Sequence, residues 1–162
     1  MSLNELKSRA ELSLFIESYW CYDRLSGEDL VLFPDGTFNV LISFERFYSV
    51  AENRNYPAGV YLCPIQKQPV CLETTNGMYG IRFKAFSLLN IIGKSPRQLT
   101  LLNDIQHFTQ RSPALSELQT YFHDRGSQPE CYELLEEVAF ELLCKNMNIH
   151  LTLRDKVNYI LE

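Results

Sequence analysis

At 162 residues, with 46% hydrophobic and 22% charged side chains, the chain has the size and composition of one globular domain and lies outside the disordered, fibrous and low-complexity classes. Fifteen Lys and Arg against twenty Asp and Glu leave a net charge of -5, the wrong sign for a module that neutralises phosphates, so these residues alone are not expected to hold nucleic acid. No apolar run approaches the roughly 20 residues that cross a bilayer, and the opening MSLNELKSRAELS lacks a basic region followed by an apolar core, so the expectation is a cytoplasmic protein with no membrane partner.

In chain order, IESYWCYD, residues 16 to 23, reads as a strand, with Ser18, Trp20 and Tyr22 on one face and Glu17, Tyr19 and Cys21 on the other. RLSGED reads as a turn. In LVLFPDGTFNVLISF, two runs, Leu30 to Phe33 and Phe38 to Phe44, flank Pro34-Asp35-Gly36-Thr37, and the Asp-Gly pair predicts a tight reversal between antiparallel strands. Phe38, Val40, Ile42 and Phe44 then share an apolar face. The segment ERFYSVAENRNYP loses periodicity and reads as a long hairpin connection. Strands resume at Val60 to Cys63 and Val70 to Thr75. Asn76-Gly77 followed by MYGIRFKAF gives another hairpin-like signal, with Tyr79, Ile81 and Phe83 opposite Arg82 and Lys84.

From Phe86 the punctuation is helical. Ser95-Pro96 and Ser112-Pro113 each place a capping hydroxyl before a proline suited to a first turn. Leu115, Leu118 and Phe122 follow helical spacing, as do Leu134, Leu135, Val138 and Leu142, and another amphipathic segment opens near Thr152. Strands first and helices afterwards, without βαβ alternation, predict an α+β fold in which a small helical subdomain packs on an antiparallel, barrel-like sheet.

The chemistry-bearing residues are few. His107, His123 and His150 make neither HxH nor HxxxH, so no metal site is expected, and no cofactor or catalytic residue is read. Glu130, Glu133, Glu136, Glu137 and Glu141 mark a solvated helix face opposite the leucines. Cys21, Cys63, Cys71, Cys131 and Cys144 lie in apolar segments without CxxC spacing and read as reduced, buried thiols, with a Cys63–Cys71 pair across adjacent strands as the alternative.

Asp35 either shapes its turn or offers an exposed carboxylate to a partner. Arg82, in the middle of an apolar strand, needs a carboxylate on a covering helix or an anionic effector. Trp20, the single tryptophan, either packs in the core or stacks on a ligand. Trp20, Tyr22, Asn39 and Arg82 are the aromatic and polar side chains on otherwise apolar strands, and they form the candidate effector-binding set.

The ordered series SYWCYD, VLFPDGTFNVLISF, YPAGVYLCPIQKQPV and GIRFKAFSLLNIIG, followed by helices, resembles the amino-terminal sensor and dimerisation domain of AraC-type transcriptional regulators over nearly the whole chain. The resemblance implies a cupin-like β-barrel or half-barrel. It makes residues 1–150 the regulatory domain, β-rich to residue 86 and helical from 87, and residues 151–162 the start of a linker or of the first helix of a helix-turn-helix domain beyond this chain.

It also implies a small-molecule effector, a homodimer, and contact with DNA only through that further domain. The stripe Leu134, Leu135, Val138, Leu142 and Leu143 would serve the dimer, unless the helix from Pro113 covers it. The metal-binding histidines of catalytic cupins are missing, which speaks against an enzyme. Two alternatives stand beside this reading: an interaction domain without a small ligand, and a metal-independent cupin-like enzyme.

The charge balance generates the first test. In fluorescence anisotropy at moderate salt against a promoter library, the 162-residue chain is expected to show no sequence-selective binding to duplex DNA; tight, selective binding would contradict it.

Overall fold

The computed structural model describes residues 3–8, 12–23, 29–87, 105–107, 113–124 and 128–147. Its strands are β1 (Leu3–Lys7), β2 (Ile16–Asp23), β3 (Leu30–Leu32), β4 (Phe38–Ser43), β5 (Phe47–Ser49), β6 (Arg54–Tyr56), β7 (Gly59–Cys63), β8 (Val70–Thr74), β9 (Gly77–Phe83) and β10 (Gln106–His107). A short 3-10 turn at Ala85–Ser87 follows β9, and two helices, α1 (Pro113–Asp124) and α2 (Gln128–Met147), complete the described elements. The fold is α+β, as expected.

The strands form two open antiparallel sheets: sheet A in the order β1-β2-β9-β4-β7-β10, and sheet B in the order β3-β8-β5-β6. Sheet A is the middle of three layers. On one face Tyr19, Cys21, Val40, Ile42, Ile81 and Phe83 pack with Leu118, Leu135, Val138 and Leu142 of the helices. On the other, Trp20, Tyr22, Leu41, Tyr61 and Met78 meet Leu30, Leu32, Phe47 and Leu72 of sheet B. Cover on both sides explains why β4 is buried at every position although its residues alternate in character.

Two turns do something other than expected. Pro34 to Thr37 does not close a hairpin: β3 pairs with β8 in sheet B, whereas β4 pairs with β7 and β9 in sheet A. The turn is a corner between layers. Asp35 Oδ1 accepts the Thr37 N–H at 3.0 Å, and Gly36 takes φ 83°, a left-handed conformation that favours glycine.

Asn76-Gly77 likewise carries the chain from β8 in sheet B to β9 in sheet A. Gly77, at φ 148°, lies so close to the Tyr22 carbonyl that a Cβ would overlap its oxygen. A strand-turn-strand pattern is common to hairpins and to corners, and what separates them here is which layer buries each strand. β4 and β7, on either side of the segment read as a long hairpin connection, do pair antiparallel, and inside that segment a tight hairpin joins β5 to β6, whose strands of three residues are too short to show a period.

α1 opens at Pro113, as expected. Most of the α2 stripe is spent within the chain: Leu135, Val138, Leu142 and Leu143 are fully buried against α1 and sheet A, and Leu134 is partly buried against the same cluster. That is the alternative in which the helix from Pro113 covers it, and it leaves these side chains none to offer a second copy. The turn at 24–28, the Ser95-Pro96 helix start, the hydroxyl of Ser112, His150 and the segment 151–162 lie outside the described residues.

One carboxylate ties the layers together at a corner. Glu45, between β4 and β5, accepts hydrogen bonds at Oε1 from Thr74 Oγ1 at 2.6 Å, from Gly77 N at 3.3 Å and from Asn76 N, and at Oε2 from Asn76 Nδ2 at 2.9 Å. Partial burial pushes its pKa up, but the Thr74 hydroxyl and the Asn76 and Gly77 donors outweigh that and hold it below the ordinary value. A carboxyl whose folded pKa is depressed stabilises fully above its unfolded pKa and loses that stabilisation as pH falls through the folded one. In denaturant titrations, stability is expected to drop below about pH 4.5. Glu45→Gln should flatten that slope and cost roughly 1–3 kcal/mol at neutral pH; an unchanged acid slope would contradict it.

Candidate functional site

The four singled-out side chains lie on one face of sheet A, the face that meets sheet B. Trp20 and Tyr22 alternate on β2 with Tyr19 and Cys21, which face the helices. Ser18 on β2 and Asn39 on β4 both stand opposite Arg82 on β9, so these three project to the same side as Trp20.

The centre of the site is closed by a close approach. Trp20 stands opposite Gly80, and its indole lies where a side chain at Gly80 would be: a Cβ there would overlap Cε2 and Cζ2. The ring is fully buried, and its N–H donates to Asn39 Oδ1 at 3.0 Å. Asn39 is itself buried, so each of the two satisfies a polar group of the other that water cannot reach.

Arg82 sits at the polar end of this face. Its Nη1 lies 2.9 Å from Glu5 Oε1 on β1 and 3.5 Å from Asp35 Oδ2 in the β3–β4 corner, and Ser18 Oγ donates to the same Glu5 oxygen. The expected carboxylate therefore exists, but it comes from the edge strand and the corner rather than from a covering helix. Asp35 takes its expected role as turn former, and its carboxylate also lies beside Arg82 within the chain. Arg82 Nε is buried with no hydrogen-bond partner among the described residues, so one donor of the fork is unspent.

The other candidates disperse. His107 makes an edge contact with Tyr61, ring centres 5.3 Å apart, and His123 lies beside Phe122. Among the described residues no three His, Cys, Asp or Glu side chains converge as metal ligands. A shallow cleft of about 250 Å³ lined by Arg46, Tyr48, Asn55, Glu73 and Thr75 opens at β5, β6 and β8 of sheet B, away from the four residues. Cys63 and Cys71 are free thiols rather than a pair.

Sequence reasoning missed Glu5 and Glu45. Glu5 belongs to a polar five-residue strand without a strand signature, and Glu45 follows a strand in a segment without periodicity. No helix among the described residues is long and apolar enough to cross a membrane. The chain matches no protein-family model, no curated protein and no solved structure.

Gly80→Ala is expected to destabilise the fold by about 3 kcal/mol, because the indole must leave its place or the strands must part. Thermal unfolding followed by Trp20 emission measures it, and a variant as stable as the parent would contradict this packing.

Proposed function

We propose that the chain is the regulatory domain of an AraC-type DNA-binding regulator, with a cupin-like sheet sandwich that senses a small organic anion between its sheets and pairs as a homodimer through a surface other than the buried α2 leucines. The observation that carries this reading is the convergence of Trp20, Tyr22, Asn39 and Arg82 on the inner face of sheet A, with the Arg82 Nε–H unspent. An aromatic wall, an amide and a guanidinium fork are the groups that recognise a carboxylate attached to an apolar body. The chain crosses between the sheets at most corners, which fits a cupin-like sandwich better than two independent sheets.

In this reading the effector takes the Arg82 fork in place of Glu5 and slides the indole off Asn39. Binding then biases the packing of sheet A against the helices, which lie on its other face. In this reading these residues do not themselves touch DNA, which a separate helix-turn-helix domain would meet. A second reading, an interaction domain without a small ligand, is favoured by the Trp20–Asn39 hydrogen bond, which already satisfies both groups.

Trp20 is the only tryptophan, so its emission reports on the site directly. Titration with a panel of small aromatic and aliphatic carboxylates is expected to give a saturable change for at least one compound. Arg82→Ala should weaken that response at least about tenfold, the loss of one charge-assisted contact. No saturable response across the panel favours the ligand-free domain. A reading frame that continues past codon 162 without two helix-turn-helix units overturns the regulator assignment itself.

A further inference from the structure

The cysteines contain an arrangement that no reading of the sequence suggested. Cys21 on β2 and Cys131 on α2, 110 residues apart, bring their sulfurs to 2.8 Å. That is only about 0.8 Å longer than a covalent bond of ~2.05 Å. Both residues are buried and both are free thiols. They stand where the helical layer rests on the sheet, since α2 packs on β2 and β9.

We infer that Cys21 and Cys131 form a redox latch, in which two-electron oxidation by a small-molecule disulfide joins β2 covalently to α2 and locks the helical layer onto sheet A. In the first step the Cys21 sulfur, as thiolate, attacks one sulfur of the reagent. A mixed disulfide forms, one reagent thiolate leaves, and it takes up the proton that Cys21 gave up. In the second, the Cys131 sulfur attacks the Cys21 sulfur of that mixed disulfide and expels the other reagent thiolate, which takes the Cys131 proton. The two protein thiols are oxidised, the reagent is reduced to two thiols, and no further electron donor or acceptor is needed.

The surroundings decide when this happens. Cys131 beside it and burial both hold the Cys21 thiol well above the ordinary range, against the smaller opposing effect of the Tyr132 hydroxyl, which hydrogen-bonds to it. Attack therefore waits on excursions that lift α2 from the sheet, so the latch closes slowly and, once closed, suppresses those excursions. Cys63 is buried on the other face of sheet A, against sheet B, away from this pair. Cys71 is half-buried on sheet B.

The test is equilibration of the whole chain with excess oxidised glutathione, followed by non-reducing digestion, mass spectrometry and thermal unfolding. The expected product is a Cys21–Cys131 peptide pair lighter by two hydrogens, with a melting temperature raised by about 5–15 °C, as a cross-link closing so long a loop predicts. Dithiothreitol should reverse it. Each variant is compared with its own reduced form: Cys21→Ala and Cys131→Ala should lose the rise, and Cys63→Ala and Cys71→Ala should keep it. The inference is overturned if Cys21 and Cys131 stay reduced at equilibrium. It is also overturned if either bonds to Cys63, Cys71 or Cys144 instead, or if their bond forms without raising the melting temperature.

Discussion

The Trp20 indole occupies the space that Gly80 leaves by having no side chain, and the layered arrangement depends on that contact. A fully buried tryptophan contributes one of the largest apolar areas any residue can, on the order of 150–250 Å². Placing it at the centre of the interface between the sheets requires a flat patch on the neighbouring strand, and only glycine at position 80 provides one. The indole N–H then needs an acceptor out of reach of water, which Asn39 supplies from the strand on the far side of β9. Three adjacent strands are fixed in register by one ring. The apolar side chains around it, Tyr22, Leu41 and Met78 among them, pack outward from there against sheet B.

The corners follow from the same arrangement. Because sheet A must be covered on both faces, the chain repeatedly leaves it to build the cover and returns. Each crossing needs a tight change of direction, met by Gly36 with its Asp35 cap, and by Gly77 pressed against the Tyr22 carbonyl. Glu45 gathers donors from Thr74, Asn76 and Gly77, so the corner that leaves β4 and the corner that enters β9 are held together by a single carboxylate. Arg82 does similar work at another edge, where it joins β9 to β1 and to the β3–β4 corner.

Much of sheet A was legible in the sequence. The runs at 16–23, 38–44 and 77–83 alternate, that at 60–63 is continuously apolar, and their aromatic and β-branched content marks them as strands. What alternation does not carry is the layer to which a strand belongs. Pro34-Asp35-Gly36-Thr37 and Asn76-Gly77 are good local signals for reversal, and the chain does turn at both, yet neither pair of flanking strands is hydrogen-bonded. The β5–β6 hairpin and β1 were illegible because three residues, or a polar five such as LNELK, show no period. In the candidate site, Trp20, Tyr22, Asn39 and Arg82 were found because polar or outsized side chains stand out on apolar strands. Their partners were not: Glu5 lies 77 positions from Arg82, and Cys131 lies 110 from Cys21. Such pairings are set by topology, which no local window contains.

The interface between the sheets is centred on one ring, with an arginine only partly satisfied at its edge. It rests on the ring being enclosed when no ligand is present. Acrylamide quenching of the single tryptophan in the unliganded chain measures that enclosure directly. The account predicts blue-shifted emission and a quenching constant near that of a fully sheltered indole, rising only as the fold melts. Emission and quenching close to those of free tryptophan in buffer would contradict it, because Trp20 would then not lie over Gly80 between the sheets.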